Sequence, residues 1–228
     1  MHHVWLGGKQ IPKQLTDCMK TCYDKHPTWK HIVWTEENMP NPFFFWDEWG
    51  MDNNYARKSD LLRLQVLYNY GGVYLDTDVE CIKPIDNLIS KHSFVMGTEC
   101  SHVGYNEIHD PNNCDQGHIN NAVIASSMGN PILVKIIETI KRNYATTTIN
   151  KRDNPLDYVA QLSGPCVFNE MRGELERAGK LYPNTYFYPT HYSNKLEMKY
   201  WQIPTDPEKL DERTHLIHHF AASWYKQK

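Results

Sequence analysis

Three carboxylates follow one another closely in the stretch GGVYLDTDVECIKP, residues 71–84. Asp76, Asp78 and Glu80 occupy alternate positions in this stretch. The other residues of GVYLDTDV predict a buried strand. Alternate side chains of a strand share a face, so Tyr74 and the three acidic residues are predicted to lie together. Carboxylates on one face repel each other unless a cation lies between them, and Mg²⁺ and Mn²⁺ prefer oxygen ligands. The pattern therefore predicts a divalent metal site at the carboxyl end of a strand.

Two metal-dependent reactions fit such a pair. One is phosphate-ester hydrolysis through an aspartyl nucleophile, as in haloacid-dehalogenase-like phosphatases, whose first motif is also a strand ending in Asp-x-Asp. In those phosphatases the motif follows the first strand of the domain, whereas here two predicted strands and two helices precede the Asp-x-Asp pair. The sequence also has no later Asp-Asp pair to complete the metal site of such a phosphatase. The other reaction is sugar transfer from a nucleotide-sugar, in which the metal neutralises the departing diphosphate. A sugar-binding module without turnover is a third alternative.

The composition narrows the class of protein. The chain has 228 residues, is 40% hydrophobic and carries a net charge of -3, which predicts one folded domain over residues 1–228 and argues against a general nucleic-acid binder. We find no signal peptide and no apolar run of about 18 residues that could span a membrane. Peripheral association with a membrane stays open. The six cysteines are expected to be reduced thiols in the cytoplasm.

Strands and helices alternate through the first third of the chain, which predicts an α/β fold with a mainly parallel sheet. A helix is predicted over residues 11–25, and another over DLLRLQVLYNY, with Ser59 as its N-terminal cap and Gly71 at its end. NPILVKIIETIKRNY predicts a further helix, and LDYVAQLSGPCVFNEMRGELERAG a helical region broken at GP. Later strands are predicted at SFVMGTE, INNAVIAS, TYFYP and THLIHHF.

Four stretches together resemble glycosyltransferase family 32, a group of sugar transferases with a DXD motif. They are HHVWLGGKQIP, ARKSDLLRLQVLYNYGGVYLDTDVECIKPID, LSGPCVF and HHFAASW, and the resemblance is strongest over residues 56–86. The group includes yeast mannosyltransferases and bacterial capsule enzymes and is related to the glucosyltransferase domains of clostridial toxins. The resemblance implies a GT-A type, Rossmann-like α/β fold, a nucleotide-sugar donor, Mn²⁺ or Mg²⁺, and retention of anomeric configuration.

The resemblance also assigns metal ligands. Asp76 and Asp78 match the metal and donor aspartates of the family, with Asp78 as the direct ligand and Asp76 beside ribose or sugar hydroxyls and the metal's water shell. His218 is the candidate for a remaining metal position, and His219 would point the other way in a strand. Glu80 is predicted to be a solvated or structural carboxylate.

Further residues are predicted to bind the donor. Asp60 and Arg63, three positions apart on one helix face, resemble a pair that grips the sugar, and an ordinary surface ion pair is the alternative. Arg57, one turn earlier, could share that face. Trp5 resembles a residue that stacks on the nucleotide base, and the glycines after it would let the base approach the backbone. A core tryptophan is the alternative.

Two short segments complete the donor side in this resemblance. Gly164 and Pro165 resemble a turn near the sugar, and Ser223 and Trp224 resemble a segment that closes over the diphosphate.

A polar stretch before a late strand could line the sugar or acceptor side through Asp115, Asn120 and Asn121. The same region holds a cluster whose residue types suit zinc, although its spacing matches no standard pattern, and a flexible acceptor loop is favoured instead. The cluster comprises Cys100, His102, His109, Cys114 and His118.

The sequence thus predicts a metal-dependent retaining glycosyltransferase with Asp76, Asp78, Asp60 and Arg63 as its catalytic residues. It would move a hexose from a nucleoside-diphosphate sugar, with a UDP-sugar favoured, to a hydroxyl of a glycan or lipid-linked saccharide. Synthesis of capsule or another surface polysaccharide is the expected setting. No carboxylate stands out as a covalent nucleophile, so the acceptor is expected to attack from the face that the diphosphate leaves.

Overall fold

The computed structural model describes residues 1–51, 53–99, 117–147, 155–189 and 210–221. Within these ranges the chain forms eight strands and nine helices. The strands are β1 His2–Val4, β2 Ile32–Trp34, β3 Gly72–Leu75, β4 Val79–Cys81, β5 Phe94–Glu99, β6 His118–Ser126, β7 Lys180–Tyr182 and β8 Leu216–His218. The helices are α1 Lys13–Lys25, α2 Trp46–Gly50, α3 Tyr55–Tyr70, α4 Asp86–Ile89, α5 Pro131–Thr146, α6 Pro155–Leu162, α7 Pro165–Glu170, α8 Arg172–Ala178 and α9 Asn184–Phe187.

The central sheet has six strands in the order β2-β1-β3-β6-β5-β7. Strand β1 pairs in parallel with β2 and β3, and β5 pairs in parallel with β7. Strand β6 lies antiparallel between β3 and β5. The α/β architecture with a mainly parallel sheet is therefore confirmed. A second, two-stranded sheet joins β4 to β8 and places Val79 opposite His218.

Helix α3 is buried nearly all round. It packs against β1, β3, β6, α5 and α6, and its successive apolar residues Leu61, Leu62 and Leu64 are fully buried. A helix that is enclosed on every side carries its polar residues into the interior as well. This burial is why Asp60 and Arg63 of α3 lie inside the protein instead of on its surface.

The start of α3 was predicted wrongly, and its end was predicted correctly. The cap is Asn54, whose side chain accepts hydrogen bonds from the backbone N–H groups of Ala56 and Arg57, so Ser59 lies within the helix. Because the cap lies upstream of Ser59, the helix begins about one turn earlier than the sequence predicted. Gly71 ends the helix with φ of +63°, and a Cβ atom there would lie 2.6 Å from the backbone nitrogen of Met128.

Two strand predictions were also wrong. The run GVYLDTDV is not one strand, because β3 ends at Leu75 and the chain turns before β4 begins at Val79, whose N–H donates to the Asp76 carbonyl. Strand β3 pairs with β6, whereas β4 pairs with β8, so the chain changes sheets at the acidic pair. TYFYP has strand-forming residue types, but it contributes to helix α9, which buries Phe187 against β5.

Within the described residues, Cys18, Cys22 and Cys81 are buried thiols that form no disulfide. Among the helices of the described chain, none combines the length and the apolar character that crossing a membrane requires.

Two buried histidines on β1 are held neutral by their surroundings. His2 donates from Nε2 to the Gly71 carbonyl (2.8 Å), and its Nδ1 accepts from the Trp34 indole (3.0 Å). His3 donates from Nδ1 to the Leu75 carbonyl (2.9 Å). Burial lowers the pKa of His2 to about 4 and the pKa of His3 to about 3.

Acidification should therefore destabilise the fold. Because both folded-state pKa values lie below the unfolded value near 6.5, the stability from neutral His2 and His3 is complete above about pH 6.5 and is lost below it. We expect these two groups to lower the free energy of unfolding by roughly 4 kcal/mol between pH 6.5 and 4.5. Urea unfolding across that range measures the change. His3→Gln should have a shallower pH dependence, and an unchanged slope would contradict the assignment.

Candidate active site

Two carboxylates and one imidazole meet where β3 ends. The Nε2 atom of His218 lies 3.4 Å from Oδ1 of Asp78 and 4.0 Å from Oδ2 of Asp76. One ligand atom from each of the three residues lies within 4.8 Å of the other two. The pairing of β4 with β8 produces this meeting, because it sets the end of β8 directly beside the turn that carries the aspartates.

The backbone after β8 holds Asp78 in place. Oδ2 of Asp78 accepts the N–H of Ala221 (2.6 Å), and its main-chain carbonyl accepts the N–H of His219 (3.0 Å). Burial would raise the pKa of Asp78, but His218 and the Ala221 N–H outweigh it and lower that pKa. Burial would lower the pKa of His218, and the Asp78 carboxylate outweighs it and raises that pKa. The site thus holds an ionised carboxylate in a nearly enclosed position.

The three side chains fit a divalent cation. Asp76 and Asp78 offer carboxylate oxygens, and His218 offers an imidazole nitrogen, all at spacings that a single ion could bridge after small side-chain adjustments. Nδ1 of His218 is buried without a hydrogen-bond partner in the described structure. Asp76 is the most open of the three, with 27% of its side chain exposed, so the side of the group toward solvent is the side of Asp76.

Asp76 is fixed by two further side chains. The hydroxyl of Tyr74 donates to Oδ1 of Asp76 (2.5 Å), and Nη2 of Arg63 lies 3.2 Å from the same oxygen. The guanidinium carbon of Arg63 lies 4.5 Å from the centre of the Tyr74 ring. Burial raises the pKa of Tyr74 well above its usual value, so the phenol keeps the proton that it donates. Strand alternation had placed Tyr74 on this face, but its bond to Asp76 was not predicted.

Asp60 and Arg63 form a buried ion pair, which rules out the surface alternative. Their charged atoms lie 3.0 Å apart, and only about 5% of either side chain is exposed. Nδ2 of Asn121 donates to Oδ1 of Asp60 (2.8 Å), and Nη1 of Arg63 donates to the Asn121 carbonyl (2.5 Å). The Ser163 hydroxyl donates to Oδ2 of Asp60 (3.0 Å). Burial raises the pKa of Asp60 to about 7 against the opposing effect of Arg63.

Arg63 links the two groups of carboxylates. It contacts Asp60 on its own helix and Asp76 at the end of β3. The predicted catalytic residues Asp60, Arg63, Asp76 and Asp78 therefore form one continuous polar cluster that also includes His218. The role of each in a reaction stays a prediction.

Trp5 lies at the carboxyl end of β1, the same edge of the sheet as Asp76, because β1 and β3 run in parallel. It is half-buried, and its indole N–H donates to the Lys9 carbonyl (2.6 Å). A Cβ atom on Gly7 would lie 2.8 Å from the Tyr55 ring, so this glycine admits the close approach of Tyr55. Base stacking on Trp5 stays a prediction.

The turn between α6 and α7 reaches the cluster through a residue that was not predicted. Gly164 is buried, and a Cβ there would lie 2.9 Å from Cα of Ala160. Pro165 begins α7. The side chain from this turn that contacts Asp60 belongs to Ser163. The position of Ser163 directly before the predicted Gly164-Pro165 turn was the one feature of the sequence that could have indicated it.

Other predicted residues lie apart from the cluster. Nε2 of His219 lies 2.9 Å from Glu80, on the far side of the strand from His218, as the alternation of side chains predicted. The Asn120 side chain accepts the Ala122 N–H (2.8 Å). His118 begins β6. The remaining predictions fall outside the described residues: Cys100, His102, His109, Cys114, Asp115, Ser223 and Trp224.

Comparison with known proteins identifies the region that carries the aspartates. Residues 12–95 match the family model described as a glycosyltransferase sugar-binding region containing a DXD motif. Asp76-Thr77-Asp78 is the DXD motif of the matched region.

Relatives with curated names extend the likeness. Inositol phosphoceramide mannosyltransferase 3 of Schizosaccharomyces pombe is 28% identical over 148 residues, which cover 62% of this chain and 36% of that protein. Inositol phosphoceramide mannosyltransferase 1 of the same yeast is 35% identical over 107 residues, covering 42% and 32%. The chain thus spans about a third of the length of these two relatives.

A solved structure titled "PaToxG Glycosyltransferase" superposes with a TM-score of 0.52 at 19% identity, covering 77% of this chain and 69% of that one. The superposition supports the GT-A type fold that the sequence predicted. At this identity the likeness concerns the fold alone.

Proposed function

We propose that the protein is a metal-dependent hexosyltransferase that uses a nucleoside-diphosphate sugar. The observation that carries the proposal is the convergence of Asp76, Asp78 and His218 at the carboxyl end of β3. Ligands of open α/β sheets bind at such an edge. The match of residues 12–95 to a family model of DXD-containing glycosyltransferases supports the same chemistry.

The proposed roles follow from the contacts of each residue. Asp76, Asp78 and His218 would hold Mn²⁺ or Mg²⁺, which when bound supplies positive charge to the donor diphosphate. Arg63 is fixed between Asp60 and Asp76. Its guanidinium is proposed to stabilise negative charge on the donor and to bind sugar hydroxyls. Trp5, at the same edge, is proposed to stack on the base.

Retention of configuration is part of the proposal. Both oxygens of Asp60 are engaged by Arg63, Asn121 and Ser163, so this carboxylate is poorly placed to attack a sugar carbon. Attack by the acceptor hydroxyl from the departing side, through an oxocarbenium-like state, needs no such nucleophile. Proton NMR of the first product formed gives its anomeric configuration, and inversion would refute this part of the proposal.

The identity of the donor and the acceptor is proposed more broadly than the sequence suggested. The curated relatives are named for mannose transfer to inositol phosphoceramide, so a mannose donor stands beside the favoured UDP-sugar. Their names favour a lipid-linked acceptor over a capsule polysaccharide. A cytoplasmic location remains a proposal, in keeping with the thiol state of the buried cysteines Cys18, Cys22 and Cys81.

Metal dependence provides the direct test. We expect EDTA to abolish the stabilisation of the protein by nucleotide-sugars and Mn²⁺ to restore it, measured as a melting-temperature shift and as slow donor hydrolysis. UDP-glucose, UDP-galactose, UDP-N-acetylglucosamine and GDP-mannose form the panel, with Ca²⁺ as a control for general ionic effects.

Two outcomes would contradict the proposal. Metal-dependent hydrolysis of p-nitrophenyl phosphate, without an effect of any nucleotide, would indicate the phosphatase alternative. Glycan binding without binding of any nucleotide would indicate a non-catalytic sugar-binding module.

A further inference from the structure

The hydroxyl of Ser163 lies fully buried behind the carboxylate of Asp60. Its Oγ donates to Oδ2 of Asp60 (3.0 Å), while Arg63 and Asn121 engage Oδ1 of the same carboxylate. Ser163 follows directly after α6, and its N–H bonds to the Val159 carbonyl (3.2 Å), so the helix end fixes where the hydroxyl stands. The position of the serine is thus set independently of Asp60.

A second buried hydroxyl lies beside Ser163. It belongs to Tyr144 of α5, whose oxygen accepts from Nη1 of Arg57 (3.0 Å). Arg57 is fully buried and also donates to the Glu48 carbonyl. The Ser163 hydroxyl therefore lies between polar groups of α3 and α5, and Asp60 is the residue to which it donates.

We propose that Ser163 is a positioning residue for the sugar of the donor. This inference rests on the proposed function. An ionised carboxylate has about four directions in which it accepts hydrogen bonds, and Arg63, Asn121 and Ser163 occupy three of them. The fourth direction remains for a sugar hydroxyl, and Ser163 determines how the carboxylate is turned when it accepts that hydroxyl. The same orientation keeps Arg63 in contact with Asp76.

The metal group is held by different contacts. Asp78 is fixed by Ala221 and by the backbone of His219, and neither is among the groups that bond Asp60. Loss of the Ser163 hydroxyl should therefore disturb recognition of the sugar and leave recognition of the diphosphate intact. A purely structural role would weaken both together, because it would act through the stability of the whole site.

Binding of sugar nucleotides and of their free diphosphates by Ser163→Ala separates these roles. With Mn²⁺ present, titration calorimetry compares UDP with the three UDP-sugars of the panel, and GDP with GDP-mannose. We expect the affinity for the sugar nucleotide that the wild type binds to fall about tenfold to a hundredfold, since a buried carboxylate loses a donor. The affinity for the free diphosphate should change by less than about twofold.

Two further variants are expected to show intermediate effects, and a third variant serves as the control. Ser163→Thr keeps a hydroxyl and should retain most of the sugar-nucleotide affinity. Tyr144→Phe keeps the ring but removes the hydroxyl that lies beside Ser163 and accepts from Arg57, so it should weaken binding of the sugar nucleotide alone and by less than Ser163→Ala does. Ser126→Ala removes another buried hydroxyl, at the end of β6 that lies away from Asn121, and should change neither affinity.

The outcomes separate this inference from the proposed function. If wild-type protein binds neither class of nucleotide, the proposed function fails and the inference fails with it. If the wild type binds both classes, an equal loss of both in Ser163→Ala, or no loss of either, overturns the positioning role alone. Thermal unfolding of each variant verifies that the compared proteins are folded.

Discussion

Replacement of Asp78 by asparagine is expected to reduce metal-dependent sugar transfer by about 10³-fold or more. Asp78 is the enclosed carboxylate of the candidate metal group, and its charge would hold the proposed cation beside His218. A bound metal contributes several kcal/mol to stabilising a departing diphosphate, and each 1.36 kcal/mol corresponds to a factor of ten in rate. Initial rates of transfer or donor hydrolysis at saturating Mn²⁺ measure the loss.

Asparagine is chosen because it preserves the shape of the site. It keeps an oxygen that can accept the Ala221 N–H, so the backbone after β8 should remain in place and the melting temperature without metal should change little. Glu80→Gln is the matched control, since Glu80 lies two residues away but contacts His219 outside the metal group. Near-wild-type transfer by the folded Asp78→Asn protein would refute the metal assignment.

Replacement of Arg63 by methionine should damage both stability and transfer. The side chain is buried and contacts two carboxylates, Asp60 and Asp76, so its loss removes the cationic partner of both. Removal of one partner of a buried ion pair costs about 3–5 kcal/mol in the free energy of unfolding. We expect transfer to fall about 10²- to 10³-fold, as for loss of a preorganised donor. Urea unfolding and steady-state kinetics measure the two effects.

A double variant separates the two effects. Asp60→Asn combined with Arg63→Met removes both buried charges and should recover much of the lost stability, but not the transfer. Arg142→Met is the matched control, since Arg142 forms an exposed pair with Glu170, and we expect a change of less than about 1 kcal/mol. Recovery of transfer in the double variant would contradict the assigned role of Arg63.

The local elements of this protein are largely determined by short-range sequence patterns. The end of α3 at Gly71 and the start of α5 at Pro131 follow from the residues themselves, because they depend on backbone conformation and on neighbours within one turn. The pair Asp76 and Asp78 could likewise be recognised as a candidate metal site, since their spacing and position after a buried strand are local features. The family resemblance added His218 and Arg63 to that site.

Only the tertiary structure determined which residues surround the aspartates. The break between β3 and β4 results from pairing with two different partner strands, which no local pattern records. The residues Asn121 and Ser163 reach Asp60 from β6 and from the turn after α6, across sequence separations of 61 and 103 residues. Burial of α3 on nearly all sides places the Asp60–Arg63 pair in the interior, which excludes the alternative of an ordinary surface ion pair. Hydrogen bonds and desolvation depend on which distant segments pack together, so these features emerge only when the chain has folded.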